Sequence, residues 1–323
     1  MSGHEQLFTK VEVNASPAIS ADSRIFFMGS CFSQNIGNYM QHCGFNVHLN
    51  PFGIVFNPYS IAHALKRIAA KEHYTETELV FHNGYFHSLD HHGTFMHQDP
   101  TTLVRTINER IHAANSFLRS ADIAIITPGT AWSWYHSESM RTISNCHKLP
   151  QSAFQKLLLT DKEIFQSYET AVQQLKSLNP NIRIIFTISP VKHLRDGIQG
   201  NAVSKARLLS NMYQFLNSQG TDNCAYFPAF EIVTEELRDY RFYAQDMAHP
   251  SNWTTEYIYS VFKEAWFTED GNELAVLGEK FARMLQHRPM TEDSLLLDAW
   301  KSKLRAQRQE ILSQFPSAIF PEI

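Results

Sequence analysis

Apolar residues in this chain fall into short uninterrupted runs, each cut off by glycine, proline or serine and followed by a helical period. The first is Ile25-Phe-Phe-Met28, too short for a helix and closed by Gly29. It reads as a buried strand, with Gly29 at the turn, Ser33 as N-cap, and Ile36, Tyr39 and Met40 along the apolar face of the helix that follows. Gly44 stops that helix and residues 45–49 give a second strand, so a β-α-β unit and a parallel sheet are expected. Strand, polar loop and helix recur from residues 121–127, 182–188 and 224–230, the last leading into a helix over 231–237.

Between these units the pattern changes. Asn50-Pro-Phe-Gly-Ile-Val-Phe-Asn-Pro58 carries two Asn-Pro pairs and predicts a rigid loop before a helix through Ala62, Leu65 and Ile68. Residues 81–97 alternate in period two, as a hairpin turning at Asn83-Gly84 should. Asp99-Pro100 caps and starts a long helix with Leu103, Ile107, Ile111 and Phe117 on one face. A second hairpin is expected from residues 130–135 and 141–148, ahead of a helix over 152–175. Beyond residue 252 only helices are predicted, over 254–267, 272–286 and 291–315, forming a helical extension. The loops at 29–32, 129–132, 189–197 and 243–251 then gather at the carboxyl ends of the strands, where open α/β sheets bind ligands.

Composition narrows the setting. With 323 residues, 43% hydrophobic and 19% charged, the chain can bury a large core. No window reaches the roughly eighteen apolar residues of a membrane span, and the opening residues lack the pattern of a secretory signal, so a cytoplasmic location is expected. A formal charge of −4 without a Lys/Arg block excludes the usual signature of nucleic-acid or anionic-membrane partners. Cys31, Cys43, Cys146 and Cys224 form no CxxC and suit reduced thiols. Many of the 16 histidines lie between His82 and His97, where a metal site and a polar hairpin are both open readings; no stereotyped ligand spacing is present.

The chemistry concentrates in two stretches. Gly29-Ser30-Cys31 places two candidate nucleophiles at a strand-to-helix turn, beside free N–H groups that favour negative charge. In Asp246-Met-Ala-His249 the carboxylate can fix the imidazole while the other ring nitrogen faces a nucleophile, and Pro250 keeps His249 out of helical geometry. The plain alternative is a buried Cys31 thiol and a Ser30 helix cap. His193 beside Lys192, and Asn145, His147 and Lys148, are candidates for holding a polar substrate, the alternative being a polar hairpin that bridges loops.

With these blocks the sequence resembles the SGNH/GDSL hydrolase superfamily, and more closely its GSCFA branch, whose Gly-Ser-Cys-Phe-Ala motif reads here Gly29-Ser30-Cys31-Phe32-Ser33. The resemblance continues through Asn50-Pro-Phe-Gly53, Gly129-Thr-Ala-Trp132, Asn145-Cys-His-Lys148, Ser189-Pro-Val-Lys-His193 and Arg241-Phe-Tyr-Ala-Gln-Asp-Met-Ala-His-Pro250. It implies a three-layer α/β/α sandwich with a parallel sheet over residues 1–267, carrying hairpin insertions, with a helical extension over 268–323. It also implies an acyl-ester hydrolase or acyltransferase for a small molecule or carbohydrate, needing no cofactor. Cys31 falls where the superfamily has its nucleophilic serine, and Ser30 where it has Asp. His249 would be the base and Asp246 its orienting acid. Gly53, Gly129 and Thr130 are the candidate oxyanion donors, with Asn145 as a rival, because the third block lacks the superfamily's Asn. The other reading is an inactive binding module that keeps the fold. Oligomeric state and substrate identity stay open.

Overall fold

The computed structural model describes residues 9–16, 18–147, 149–219, 224–287, 289–290 and 293–323. Strands β1 (Arg24–Gly29) and β2 (Asn46–Leu49) flank helix α1 (Cys31–His42). Helix α2 (Pro58–Ala70) follows, then β3 (Leu79–His82), β4 (Tyr85–Ser88) and β5 (Met96–His97) as a three-stranded antiparallel sheet, then α3 (Pro100–Leu118). β6 (Ile123–Thr127) leads to a second small antiparallel sheet of β7 (Trp132–His136), β8 (Arg141–Ile143) and β9 (Phe154–Leu158). The chain closes with α4 (Asp161–Leu178), β10 (Arg183–Phe186), α5 (Gly197–Gln219), β11 (Cys224–Tyr226), α6 (Ala229–Glu231) running into a π-helical stretch Ile232–Leu237, and α7 (Asn252–Trp266), α8 (Glu269–Gln286) and α9 (Ser294–Gln314).

The main sheet has the order β11-β10-β6-β1-β2, and every pairing in it is parallel. Its strands are covered on both faces, which is why they read as continuous apolar runs. Period two sorts β1 cleanly. Ile25 and Phe27 enter one core with Ile36 of α1, Ile258 of α7, Phe281 of α8 and Leu304 and Ile311 of α9. Phe26 and Met28 enter the other, with Leu65 of α2, Ile107 of α3, Ile164 of α4 and Leu208 of α5. Phe26 and Phe27 are fully buried, and truncating either to Ala costs about 3–5 kcal/mol. The result is the α/β/α sandwich expected, with α8 and α9 packed into the same core as α1.

Two expectations need correction. The helix foreseen over 152–175 starts later, at Asp161, capped by Thr160 and Glu163 in a reciprocal capping box. Residues 154–158 instead form β9, pairing antiparallel with β7 from Trp132↔Leu158 to His136↔Phe154. Gln, Lys and Leu suit helices, but the open edge of β7 supplies a ladder that outweighs that preference. The first helix likewise begins earlier than read: Ser30, not Ser33, is the N-cap, extended at φ −75° and ψ 177°, with its oxygen accepting from Phe32 N.

Candidate active site

The chain order of the main sheet reverses between β1 and β6, the switch point where a crevice opens beyond the strand ends. Gly29 and Thr127 close these two strands side by side. Gly29 has φ +150°, and a Cβ on it would sit 2.3 Å from Thr127 O, so only glycine lets the chain leave the sheet this tightly. Its N–H bonds Asn50 Oδ1 at 2.9 Å, and its carbonyl accepts Val55 N at 3.2 Å, which fastens the Asn-Pro loop along the crevice.

The two candidate nucleophiles differ in state. Ser30 is buried at 2% exposure, and its hydroxyl is used in capping α1. Cys31 is the first helical residue and is partly exposed. Burial pushes its thiol above the ordinary value, opposed by its own backbone N–H. The helix N-terminus contributes partial positive charge at this position.

Asp246 and His249 form a compact loop unit. Asp246 Oδ1 accepts Ala248 N and His249 N, each at 3.0 Å, and Oδ2 takes the ring Nδ1–H of His249 at 2.6 Å. Those bonds, led by the His249 N–H, hold the carboxyl at about 2. Nδ1 is therefore the protonated nitrogen, leaving the Nε2 lone pair free to act as a base. Both side chains are about half exposed, at 44% for His249 and 51% for Asp246. The loop is pinned by Ala244 N to His249 O at 2.8 Å and by Lys192 N to Ala248 O at 3.0 Å. No hydrogen bond joins the His249 ring to Ser30 or Cys31 among the described residues; catalytic contacts commonly tighten only when substrate is bound.

His193 lies beside Gly129 and Ser30. Its Nε2 lies 3.1 Å from where a Gly129 Cβ would be, and Ser30 Cβ lies 3.4 Å from the same point. The ring packs on Phe56 at 5.2 Å, and burial, then the charges of Lys205, His249 and Lys156, push it down to about 3, so it is neutral at ordinary pH. Gly129 and Thr130 lie at the same edge, but both N–H groups bond Phe56 O, at 2.7 and 3.2 Å. The Thr130 hydroxyl bonds Ser204 Oγ at 2.9 Å. Gly53 N is likewise engaged, with Asn50 O at 2.7 Å.

Asn145 and His147 sit with the His-rich hairpin instead. Asn145 N bonds Leu89 O at 3.1 Å, its Oδ1 accepts His147 N at 2.9 Å, and its Nδ2 has no acceptor among the described residues. His147 is buried, its Nε2 bonds Ser88 O at 2.6 Å, and burial followed by the charge of His87 pushes it down to about 4. Lys148 lies outside the described residues. No group of three or more His, Cys, Asp or Glu able to hold a metal occurs among the described residues, the hairpin's histidines included.

Sequence reasoning missed Lys205. This residue of α5 is fully buried, donates to Gly129 O at 2.6 Å and Ser189 O at 2.5 Å, and so joins the loops after β6 and β10. Burial pushes it down to about 7. The available signal was its helical register with buried Leu208, Met212 and Phe215, a lysine inside an apolar stripe.

Residues 24–262 match the GSCFA family. The chain belongs to that family. The matched span takes in Gly29, Ser30, Cys31, Gly129, His193, Asp246 and His249, and leaves α8 and α9 outside it. No curated protein matches the chain. Similar solved structures include a carbohydrate esterase family 3 protein from Talaromyces cellulolyticus, at 10% identity over 80% of this chain and 99% of that one, with a TM-score of 0.37. Another is an acetyl xylan esterase from the rumen bacterium Butyrivibrio proteoclasticus, at 10% identity over 79% of this chain and 64% of that one, with a TM-score of 0.40. Among the described residues no helix is long and apolar enough to cross a membrane.

Proposed function

We propose that this protein is an SGNH-like acyl-ester hydrolase or acyltransferase for an acylated small molecule or carbohydrate, working through Cys31, His249 and Asp246. The observation that carries the reading is the 2.6 Å bond from His249 Nδ1 to Asp246, which orients the ring and leaves Nε2 as a base. Of the two candidate nucleophiles, Cys31 is favoured by its partial exposure and by the commitment of the Ser30 hydroxyl to helix capping.

In this reading His249 Nε2 takes the Cys31 proton as sulfur attacks the ester carbonyl. The Cys31 N–H, which has no carbonyl acceptor among the described residues, donates to the oxyanion. Neutral His193 is the second donor we assign, because it borders Gly129 and Ser30. Collapse breaks the C–O bond, and the departing alcohol takes its proton from His249. Water, or a second alcohol in acyl transfer, then gives a proton to His249 and attacks the thioester, restoring the thiol.

A second reading is a binding module without catalysis. It is favoured by one observation: the N–H groups of Gly53, Gly129 and Thr130 all bond carbonyls within the protein, so none is free for an oxyanion. Turnover of a panel of acetyl and longer acyl esters separates the two. Hydrolysis lost in both Cys31→Ala and His249→Ala supports the enzyme, whereas no turnover of any ester, or equal turnover in His249→Ala, supports the binding module.

A further inference from the structure

The charges at the sheet's working edge do not balance. Asp196 is bound to Lys156, Asp246 to His249 and Asp239 to Arg241. Lys205 lies buried on carbonyls, without a carboxylate. Lys192 has no acidic partner among the described residues; its ammonium lies over Tyr243 at 3.7 Å and Tyr240 at 4.2 Å from the ring centroids. The uncompensated ammonium of Lys192 at this edge is not inherited from the whole chain, whose formal charge is −4.

Lys192 is also well placed. Its backbone N–H holds Ala248 O, next to His249 in sequence, and its other neighbour is His193. Tyr243, on which the ammonium rests, pairs with Pro250 directly after His249. The two aromatic faces hold a long flexible side chain in one place, so an anion arriving there need not order it. A fixed cation at a cleft mouth draws in anions and orients them.

We propose that the site mouth contains an anion subsite, centred on Lys192 and walled by Tyr240 and Tyr243, for a carboxylate or phosphate group carried by the substrate. As a statement about substrate, it rests on the hydrolase reading above. The favoured substrate class is then an acyl ester of a negatively charged alcohol, such as an acidic or phosphorylated sugar.

The test uses the full-length protein and three acetyl esters of matched leaving-group acidity: one neutral, one bearing a carboxylate and one a phosphate. The wild type should prefer at least one charged ester, and the two charged arms identify the group. In Lys192→Gln the ratio of kcat/KM for that ester over the neutral one should fall about tenfold, in Lys192→Arg it should partly recover, and added salt should erode it in the wild type. An unchanged ratio in Lys192→Gln would overturn the proposal. Calorimetric binding of the carboxylated and phosphorylated alcohols gives an answer without turnover. Weaker binding in Lys192→Gln supports the subsite even if no ester is hydrolysed, and equal or absent binding overturns it. Failure of the hydrolase reading shows separately, as turnover that survives His249→Ala.

Discussion

Two Asp–His pairs occupy different regions of this protein, and their surroundings separate structure from chemistry. In the His-rich hairpin region, Asp90 is 3% exposed and serves His63 at 3.3 Å, Tyr74 at 2.9 Å and Arg141. The neighbouring imidazoles are buried: His91 stacks on Phe52 at 4.1 Å and bonds Ser88 at 2.7 Å, while His147 bonds Ser88 O. At the sheet edge, Asp246 binds one ring and the N–H groups of its own loop, both side chains are about half exposed, and Nε2 of His249 has no partner among the described residues. A histidine buried among such partners holds a fold together; one with an oriented, half-exposed ring and a free nitrogen can move protons.

Substitutions sharpen that contrast. Asp246→Asn should lower kcat by about 10²- to 10⁴-fold, by giving His249 the wrong tautomer, with little change in thermal stability. Asp90→Ala should do the reverse, costing about 3 kcal/mol in denaturant unfolding because Arg141 and Tyr74 lose a buried partner. If Asp246→Asn unfolds the protein and Asp90→Ala is neutral, the two regions have been assigned the wrong way round. Both carboxyls are held below their ordinary value, Asp246 at about 2 by the N–H groups of its own loop. Asp90 is held well below the usual carboxylate range by His63 and Arg141, against its burial. Its folded-state value is lowered, so its contribution to stability is present above the unfolded value of 3.8 and is lost as pH falls below that.

Lys205 makes a smaller prediction with the opposite sense. Its folded value of about 7 lies below the ordinary 10.5, so between these pH values the unfolded chain binds a proton that the folded one does not. Stability from this group should therefore rise with pH across that window, by an amount on the order of a few kcal/mol. Lys205→Met should remove the rise, as followed by urea melts at pH 6 to 10 (roughly the window in which a buried lysine titrates). The smallest effect concerns Cys31. Because burial raises its thiol, alkylation by iodoacetamide should still be accelerating at pH 9.0, the ordinary value for a thiol. A plateau below that would show an activated thiolate instead.

Much of the candidate site was legible because its signals are local. An apolar run ending in Gly29 marks the strand end, and Asp246 and His249 bond across three residues of one loop. The Ser30 cap was misplaced because Gly29, with its positive φ, lets the helix start at once instead of after a longer turn. Contacts that span the chain left weaker traces. The ladder of β9 depends on the exposed edge of β7, and the clamp of Lys205 joins Gly129 and Ser189 from a helix further along the chain. The engagement of the Gly53, Gly129 and Thr130 N–H groups is likewise set by loops docking on one another, which no single stretch encodes.

The central claim is that Cys31 becomes acylated with help from His249, and intact-protein mass spectrometry after exposure to an activated acetyl ester tests it most directly. The account predicts a transient gain of one acetyl group, mapped to Cys31, absent from Cys31→Ala and both slower to form and slower to decay in His249→Ala. An acetyl group carried by Ser30 or another residue, or acylation of Cys31 at the same rate in His249→Ala, would contradict it.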